Sequence, residues 1–297
     1  MTNCIRCGRP IDDTSPTATN LCPECRQAFA GQAQPSTLPP RPPLARPSPA
    51  AYRPPVTTAI VALNVLVFVA MIFSGVSPMG PSNAQLLKWG ADFGPYSLDG
   101  EPWRILASNY VHIGLFHILF NMWCLWNLGR LAERILGPWT YFLTYTACGI
   151  AGSLVSLWIH PRALGAGASG AIFGLAGALI TALYLGKLPY PGQTLRGLMR
   201  SLVSFAGYNL FFGAVVPGID NSAHIGGLLT GLAIGALLAP QLTESPEKRR
   251  AHERLMFTVT ALFLIGFGVF VKQQRGGVVE KYREQQRLPA QSDDANP

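Results

Sequence analysis

Charged side chains are scarce in this chain. They make up 13% of its 297 residues, against about 25% in an average soluble domain. The apolar residues occur in long blocks, and no series of carboxylates runs through those blocks. The first observation excludes an ordinary soluble enzyme. The second argues against an ion-conducting transporter, which needs ionisable groups at membrane depth. We therefore predict an all-α polytopic membrane protein.

A recognisable cleavable signal peptide is also lacking, so we expect the first apolar block to serve as an uncleaved membrane anchor. Basic residues outnumber acidic ones by 23 to 15, which gives a formal net charge of +8, and they cluster beside the apolar blocks. That placement indicates contact with the anionic headgroups of the lipid bilayer and control of topology, and it does not favour nucleic acid as a partner.

The basic residues also predict the orientation of the chain in the membrane. They are frequent before the first apolar block and in every second connection after it, and they are rare in the other connections. The positive-inside rule therefore places the N-terminus in the cytosol of a multi-pass protein of the cell membrane. The basic residues after position 271 fit this orientation poorly, although final tails follow the rule weakly.

Seven apolar blocks approach the roughly 20 residues that a helix needs to cross the hydrocarbon core. The fourth is short, which is typical of a helix that starts below a water-filled cavity. The blocks comprise residues 56–76, 113–131, 139–159, 169–185, 198–216, 221–239 and 255–271. We accordingly divide the chain into a cysteine module (1–30), a proline-rich linker (31–55), a six-helix core (56–239), a basic cytosolic loop (240–254), a seventh transmembrane helix (255–271) and a polar tail (272–297).

Two Cys-x-x-Cys pairs near the N-terminus match the spacing of a small zinc-ribbon-like module. The predicted metal ligands are Cys4, Cys7, Cys22 and Cys25. About 30 residues bury too little apolar surface to fold alone, so a structural zinc ion would supply the stability. Cytosolic thiols stay reduced, which favours a metal over two disulfides. An iron–sulfur cluster and an unfolded tail are the other interpretations.

Two short motifs place a polar residue among small ones inside an apolar block. They read Gly167-Ala168-Ser169-Gly170 and Ala223-His224-Ile225-Gly226-Gly227. A serine hydroxyl needs an adjacent base to act as a nucleophile, and an imidazole supplies one. We therefore predict Ser169 as the nucleophile and His224 as the general base. Ordinary helix packing explains the glycines equally well, but it leaves the imidazole of His224 without a partner.

Small residues recur every four positions in the fourth and sixth blocks, which predicts two ridges that let these helices approach closely. The ridges comprise Gly170, Gly174 and Ala178 in one helix and Ala223, Gly227, Gly231 and Gly235 in the other. Asp220 is interpreted as the N-cap of the second helix, with a third member of a catalytic triad as the alternative. Phe173 either stacks on the imidazole of His224 or is an ordinary core aromatic.

His117 and Asn121 lie four residues apart in the second block, so they share one helix face. Both side chains donate hydrogen bonds, and two donors aimed at one point can stabilise an oxyanion. The same residues can equally hold two helices together. This pair alone leaves both interpretations open.

Taken in order, these motifs resemble the rhomboid family of intramembrane serine proteases. The resemblance covers about residues 56–239. It rests on Trp103-Arg104, on His117-Ile118-Leu119-Phe120-Asn121, on Gly167-Ala168-Ser169-Gly170 and on Ala223-His224 followed by Gly227 and Gly231. The ordered set is far more specific than any single motif.

The resemblance implies a six-helix core followed by a seventh helix, with residues 79–111 as a membrane-embedded first loop. It implies a serine endopeptidase that cuts transmembrane segments of other membrane proteins, with Ser169 as nucleophile and His224 as base. It also implies that His117, Asn121 and the backbone N–H of Ser169 line the oxyanion site. The active site would open to the external side, and no metal would take part in catalysis.

Two rival interpretations concern the core and the cysteine module. The core could be a catalytically silent rhomboid-like protein that binds membrane clients, but the usual mark of such a protein is loss of the serine or the histidine. The cysteine module could be a zinc-sensing or nucleic-acid-binding module tethered to a membrane anchor. Its few basic residues are balanced by acidic ones, which argues against nucleic acid. We therefore expect a protein partner for this module.

Overall fold

The computed structural model describes residues 2–11, 21–31, 53–186 and 190–287. They belong to two compact units, Met1–Ala51 and Tyr52–Pro297. Most of the predicted linker (31–55) lies outside the described residues, as does the last part of the predicted tail (288–297).

The first unit contains a short ribbon and one helix. Strand β1 (Thr2–Asn3) pairs antiparallel with β2 (Pro10–Ile11). The turn between them is closed by hydrogen bonds from the backbone N–H of Gly8 to the carbonyl of Cys4 (2.9 Å) and from that of Cys4 to the carbonyl of Arg9 (2.8 Å). Helix α1 (Pro23–Gly31) then begins directly after Cys22. This arrangement places one cysteine pair on the turn and the other at the start of the helix.

The described residues of the second unit form helices joined by turns and loops, with short 3-10 turns at Ser108–Tyr110 and Ala239–Thr243. Its helices are α2 (Pro55–Phe73), α3 (Asn83–Lys88), α4 (Gly94–Ser97), α5 (Arg104–Ala107), α6 (Leu115–Leu136), α7 (Pro138–Ile159), α8 (Ser169–Leu185), α9 (Gly192–Val215), α10 (Asn221–Leu238) and α11 (Pro246–Arg287). Each predicted apolar block overlaps one helix of this set, which confirms the all-α polytopic prediction.

Not all of these helices are long enough to cross a membrane alone. Among the described residues, α2, α7, α9, α10 and α11 have the length and composition of a membrane span. Helix α6 has the length and composition of a span only when it is taken together with the segment Arg104–Tyr110. The two are bent by 91° relative to each other. Helix α8 has 17 residues and is about 26 Å long, shorter than the roughly 30 Å of the hydrocarbon core.

Helix α8 lies at the centre of the bundle, in contact with α6, α7, α9 and α10. Every residue from 170 to 179 is buried. The two small-residue ridges explain how α10 reaches this helix. A Cβ added to Gly227 or Gly231 would collide with the carbonyl oxygen of Gly170 or Gly174, respectively. The predicted backbone-to-backbone packing is therefore confirmed.

Backbone hydrogen bonds connect the loop between α2 and α6 to the segment that precedes α8. Arg104 is buried, and its guanidinium donates hydrogen bonds to the carbonyls of Leu87 (2.6 Å) and Ala91 (3.2 Å). Asp92, which follows Ala91, exchanges two backbone hydrogen bonds with Gly165, at 2.7 and 2.8 Å. Arg104 of the Trp103-Arg104 motif therefore helps to fix the position of Gly165, which lies two residues before Gly167.

Helix α11 differs from its predicted boundaries. It begins inside the predicted loop (240–254), continues through the predicted seventh span and extends into the predicted tail (272–297). Tertiary contacts keep this polar extension helical. Val271 and Val279 are buried against Leu98 and Leu157. The extension is held further by contacts from Arg275 to the carbonyl of Trp158 (2.6 Å), from Tyr282 to the ring of Phe93 (centroids 5.5 Å apart) and from Arg283 to Asp99.

Candidate active site

Ser169 and His224 meet where α8 and α10 begin. Ser169 is the first residue of α8, and His224 lies in the first turn of α10. The ridges that bring the two helices together place the hydroxyl oxygen of Ser169 2.9 Å from Nε2 of His224. The histidine is 8% exposed, so its ring is held in place by protein contacts. The two predicted catalytic residues are thus within hydrogen-bond distance.

Two further side chains orient the imidazole of His224. Its Nδ1 lies 3.3 Å from Oδ1 of Asn221. Because an amide oxygen only accepts, Nδ1 carries the proton and Nε2 is left to accept from Ser169. The ring of Phe173 stacks on the imidazole, with centroids 4.3 Å apart and an interplanar angle of 15°. The stacking interpretation of Phe173 is therefore confirmed.

Asn221 is a site residue that the sequence interpretation missed. Its Nδ2 donates to the carbonyl of Leu210 in α9 (2.9 Å), which fixes the amide so that Oδ1 faces His224. A spacing of three residues on one helix puts two side chains on the same face. The three-residue spacing between Asn221 and His224 was therefore the one feature of the sequence that could have indicated this contact. Without the position of α9, nothing in the sequence distinguished Asn221 from an ordinary helix-start residue.

We predict that Asn221→Ala lowers kcat for the hydrolysis expected of this dyad roughly tenfold and leaves KM nearly unchanged, because one orienting hydrogen bond is lost. Asn221→Asp keeps an acceptor at this position and is expected to recover most of the rate. Asn127→Ala, which removes an exposed asparagine of α6, is the matched control. Wild-type kcat in Asn221→Ala would contradict the positioning role.

Asp220 is an N-cap, as predicted. Its Oδ1 accepts hydrogen bonds from the backbone N–H groups of Ser222 (3.0 Å) and Ala223 (3.4 Å). Its Oδ2 accepts from the hydroxyl of Ser156. Both carboxylate oxygens of Asp220 are therefore engaged in contacts at the start of α10. In a triad the acid would bond to Nδ1 of His224, but here Asn221 occupies that position.

His117 and Asn121 lie on α6 and line the same cavity as Ser169. The Nδ1 of His117 accepts from the backbone N–H of Ile113 (3.2 Å), so its Nε2 carries a proton that it can donate. Asn121 gives one amide hydrogen to the carbonyl of His117 (2.9 Å) and keeps a second. Both residues thus have a donor left for another acceptor.

Gly167 shapes the backbone between this donor pair and the nucleophile. Its φ of +124° is a conformation that side chains rarely adopt. A Cβ at this position would lie 2.9 Å from Nε2 of His117. The N–H of Gly167 donates to the carbonyl of Ser108 (2.9 Å), which holds the turn against the first loop. The first N–H groups of α8, which have no acceptor within the helix, follow directly after this turn.

The site lines a cavity of about 730 Å³, a volume within the usual range for a ligand pocket, about 300–1,000 Å³. The four predicted residues of the site, Ser169, His224, His117 and Asn121, all belong to its lining. Aromatic side chains from α6 and α9 complete much of the wall. A nucleophile, a base and several donors therefore converge on a largely apolar chamber.

The four N-terminal cysteines also form a cluster. Their sulfur atoms all lie within 4.8 Å of one another, and those of Cys7 and Cys22 are 3.6 Å apart. A tetrahedral zinc site with Zn–S bonds of about 2.3 Å requires sulfur separations of about 3.8 Å. All four thiols are free. The cluster can therefore hold a metal ion.

A membrane-spanning bundle that joins a helix-start serine to a histidine is the architecture expected of an intramembrane serine hydrolase. The profile of the Rhomboid domain matches residues 99–241 of this chain. The sequence is 36% identical to the rhomboid protease GluP of Bacillus subtilis over 213 residues, which cover 71% of this chain and 40% of that protein. It is 30% identical to the rhomboid protease AarA of Providencia stuartii over 239 residues, 72% of this chain and 82% of that protein. The chain belongs to the rhomboid family.

The similarity extends to RHOMBOID-like protein 4 of Arabidopsis thaliana, with 31% identity over 199 residues, 63% of this chain and 50% of that protein. For several such relatives, the chain spans about half of their length. The stretch matched by the Rhomboid profile contains every residue of the candidate active site named above, from Ser108 to His224.

Proposed function

We propose that this chain is an intramembrane serine endopeptidase that cleaves transmembrane segments of other membrane proteins with a dyad of Ser169 and His224. The observation that carries the proposal is the 2.9 Å contact between the Ser169 hydroxyl and Nε2 of His224. The contact lies inside a cavity that also contains His117 and Asn121. Membership of a family that includes proteins named rhomboid proteases supports it.

In this mechanism, Ser169 attacks a peptide carbonyl while His224 takes the hydroxyl proton on Nε2. The Oδ1 of Asn221 accepts a hydrogen bond from the N–H at Nδ1 and keeps the imidazolium oriented. The oxyanion that forms receives hydrogen bonds from His117, Asn121 and the backbone N–H of Ser169. His224 then gives its proton to the leaving amine. A water molecule, activated by the same imidazole, hydrolyses the acyl-enzyme and restores Ser169.

The substrate class follows from the chemistry of a membrane helix. A fully hydrogen-bonded helix keeps its carbonyl groups engaged, so attack needs a segment that unwinds. We therefore propose substrates with small or helix-destabilising residues near one end of their transmembrane segment. The positive-inside rule supports an active site that opens to the external side of the cell membrane, with the N-terminus in the cytosol.

The proposal is tested with purified protein in liposomes, using a fluorophosphonate probe and a transmembrane reporter. Wild-type protein is expected to cleave the reporter and to carry the probe on Ser169, as located by peptide mass spectrometry. Prior labelling should block cleavage. Folded protein that binds the reporter but neither cuts it nor reacts would instead support the alternative, a catalytically silent rhomboid-like protein that binds membrane clients.

We also propose that Cys4, Cys7, Cys22 and Cys25 bind one structural zinc ion, which supplies folding energy to the N-terminal module and takes no part in catalysis. The mutual spacing of the four sulfurs supports this proposal. By its small size and balanced charge, the module is suited to docking a protein partner.

The metal proposal predicts about one zinc per chain by elemental analysis of the full-length protein. Cys22→Ser should lose most of this metal, because a ligand is removed, while Cys148→Ala, a core cysteine outside the module, should keep it. Reporter cleavage should persist in Cys22→Ser. Equal metal content in the two variants would argue against the proposed ligand set.

A further inference from the structure

A second cavity opens where α7 and α11 begin. Its volume is about 510 Å³, and it shares no lining residue with the cavity that holds Ser169. One wall comes from the first turns of α7, beginning at Trp139. The other comes from α11, where Arg250, Arg254 and Phe257 follow one another along the helix. Neither the dyad nor the cysteine cluster uses any of these residues.

The cavity carries uncompensated positive charge. Arg250 and Arg254 lie one turn apart and are exposed. Within the described part of the chain, neither guanidinium makes a hydrogen bond or ion pair. The carboxylate in the lining, Glu253, accepts from Nε of Arg249 (2.8 Å) and from the hydroxyl of Thr140 (2.9 Å). It is therefore neutralised by a third arginine, and the two others remain free to bind an anion.

The polarity of the lining changes with depth. Trp139, at the start of α7, is 78% exposed, which is typical of an aromatic residue at the membrane interface. Leu143 follows one turn further along α7, and Phe257 lies two turns beyond Arg250 on α11. Both helices run from this end into the bundle. The cavity therefore has a cationic, aromatic rim and an apolar inner part about 5–10 Å deeper.

We propose that this cavity binds one anionic phospholipid, with its phosphate between Arg250 and Arg254 and an acyl chain against Leu143 and Phe257. Basic pockets between transmembrane helices are suited to such headgroups. A free phosphate would satisfy the arginines but would leave the apolar part in contact with water. A zwitterionic headgroup would bring its own cation against two guanidinium groups. The two halves of the cavity together therefore select an anionic lipid.

The test titrates full-length protein in neutral detergent with dioleoyl-phosphatidylglycerol and counts bound lipid by native mass spectrometry. Wild-type protein is expected to hold one lipid tightly and to bind phosphatidylcholine more weakly. Arg250→Gln/Arg254→Gln should weaken the binding of phosphatidylglycerol about tenfold or more, because two interfacial charges are removed. Arg196→Gln/Arg200→Gln removes a matched, exposed arginine pair from α9 outside the cavity and should bind as wild type does.

Inorganic phosphate distinguishes a lipid site from a simple anion site. A millimolar excess should not displace the lipid, since phosphate has no acyl chain to cover Leu143. Displacement by phosphate would overturn the proposal, as would equal lipid binding by the wild type and both double variants. Thermal unfolding of each variant, expected at the wild-type temperature because the substituted side chains are exposed, shows that the comparison concerns binding.

Discussion

Ser169→Ala is expected to reduce cleavage of a transmembrane reporter by about 10⁴-fold or more, to the background of the assay. The substitution removes the attacking oxygen, and no neighbouring group replaces it on the imidazole of His224. His224→Ala should cause a loss of similar size, because the hydroxyl of Ser169 is then left without a base. Initial rates in liposomes, at equal amounts of folded protein, measure both losses.

Non-additivity makes this prediction more specific. Residues that act as one unit lose their joint contribution at the first substitution, so the double variant should be no slower than either single variant. Ser201→Ala, which removes an exposed hydroxyl of α9 bonded to its own helix, is the matched control and should cleave normally. Rates shared by the wild type and all variants would identify a contaminating protease and remove the support for the dyad.

Gly231→Ala is expected to destabilise the protein by about 3 kcal/mol or more, an overpacking effect at the upper end of the usual range. The added Cβ would collide with the carbonyl oxygen of Gly174, which is backbone and cannot rotate away. Helices α8 and α10 must separate to admit it, so Ser169 moves away from His224 and cleavage falls as well. Thermal unfolding in detergent and the rate of reporter cleavage measure the two effects.

Gly207→Ala provides the matched control for this substitution. It makes the same change in the middle of α9, where an added Cβ has no neighbour within 4 Å. In a helix interior, alanine is favoured over glycine by about 1 kcal/mol, so this variant should be slightly more stable than wild type. The two glycine substitutions should therefore have opposite signs. Destabilisation of equal size at both positions would contradict the close approach of α8 and α10.

The sequence was most informative where local spacing determines the contact. The four-residue repeat around Gly174 and Gly231 predicted which helices touch, and this packing is present in the structure. The cap at Asp220 depends only on its position before α10, so it was also predictable. Placing Ser169 and His224 at the starts of their helices then required only the order of the motifs.

Contacts between distant elements were harder to predict. The role of Asn221 depends on the carbonyl of Leu210 in α9, eleven residues earlier. No repeat in the sequence predicts that this carbonyl lies next to Asn221. The length of α11 was missed because residues 272–287 are polar and read as a tail. They stay helical because Val279 and Tyr282 pack against the first loop and its helix α4. In both cases a tertiary partner decides the outcome.

The length of α11 has a mechanical consequence. Its 42 residues span about 63 Å, roughly twice the thickness of the hydrocarbon core. Near one end, Arg249 binds the carbonyl of Leu136 at the corner between α6 and α7. Near the other, Arg283 pairs with Asp99 beside α4. The helix is therefore a continuous rod between the two faces of the protein. It therefore connects the corner between α6 and α7 directly to the first loop, by a route that does not include the central helix α8.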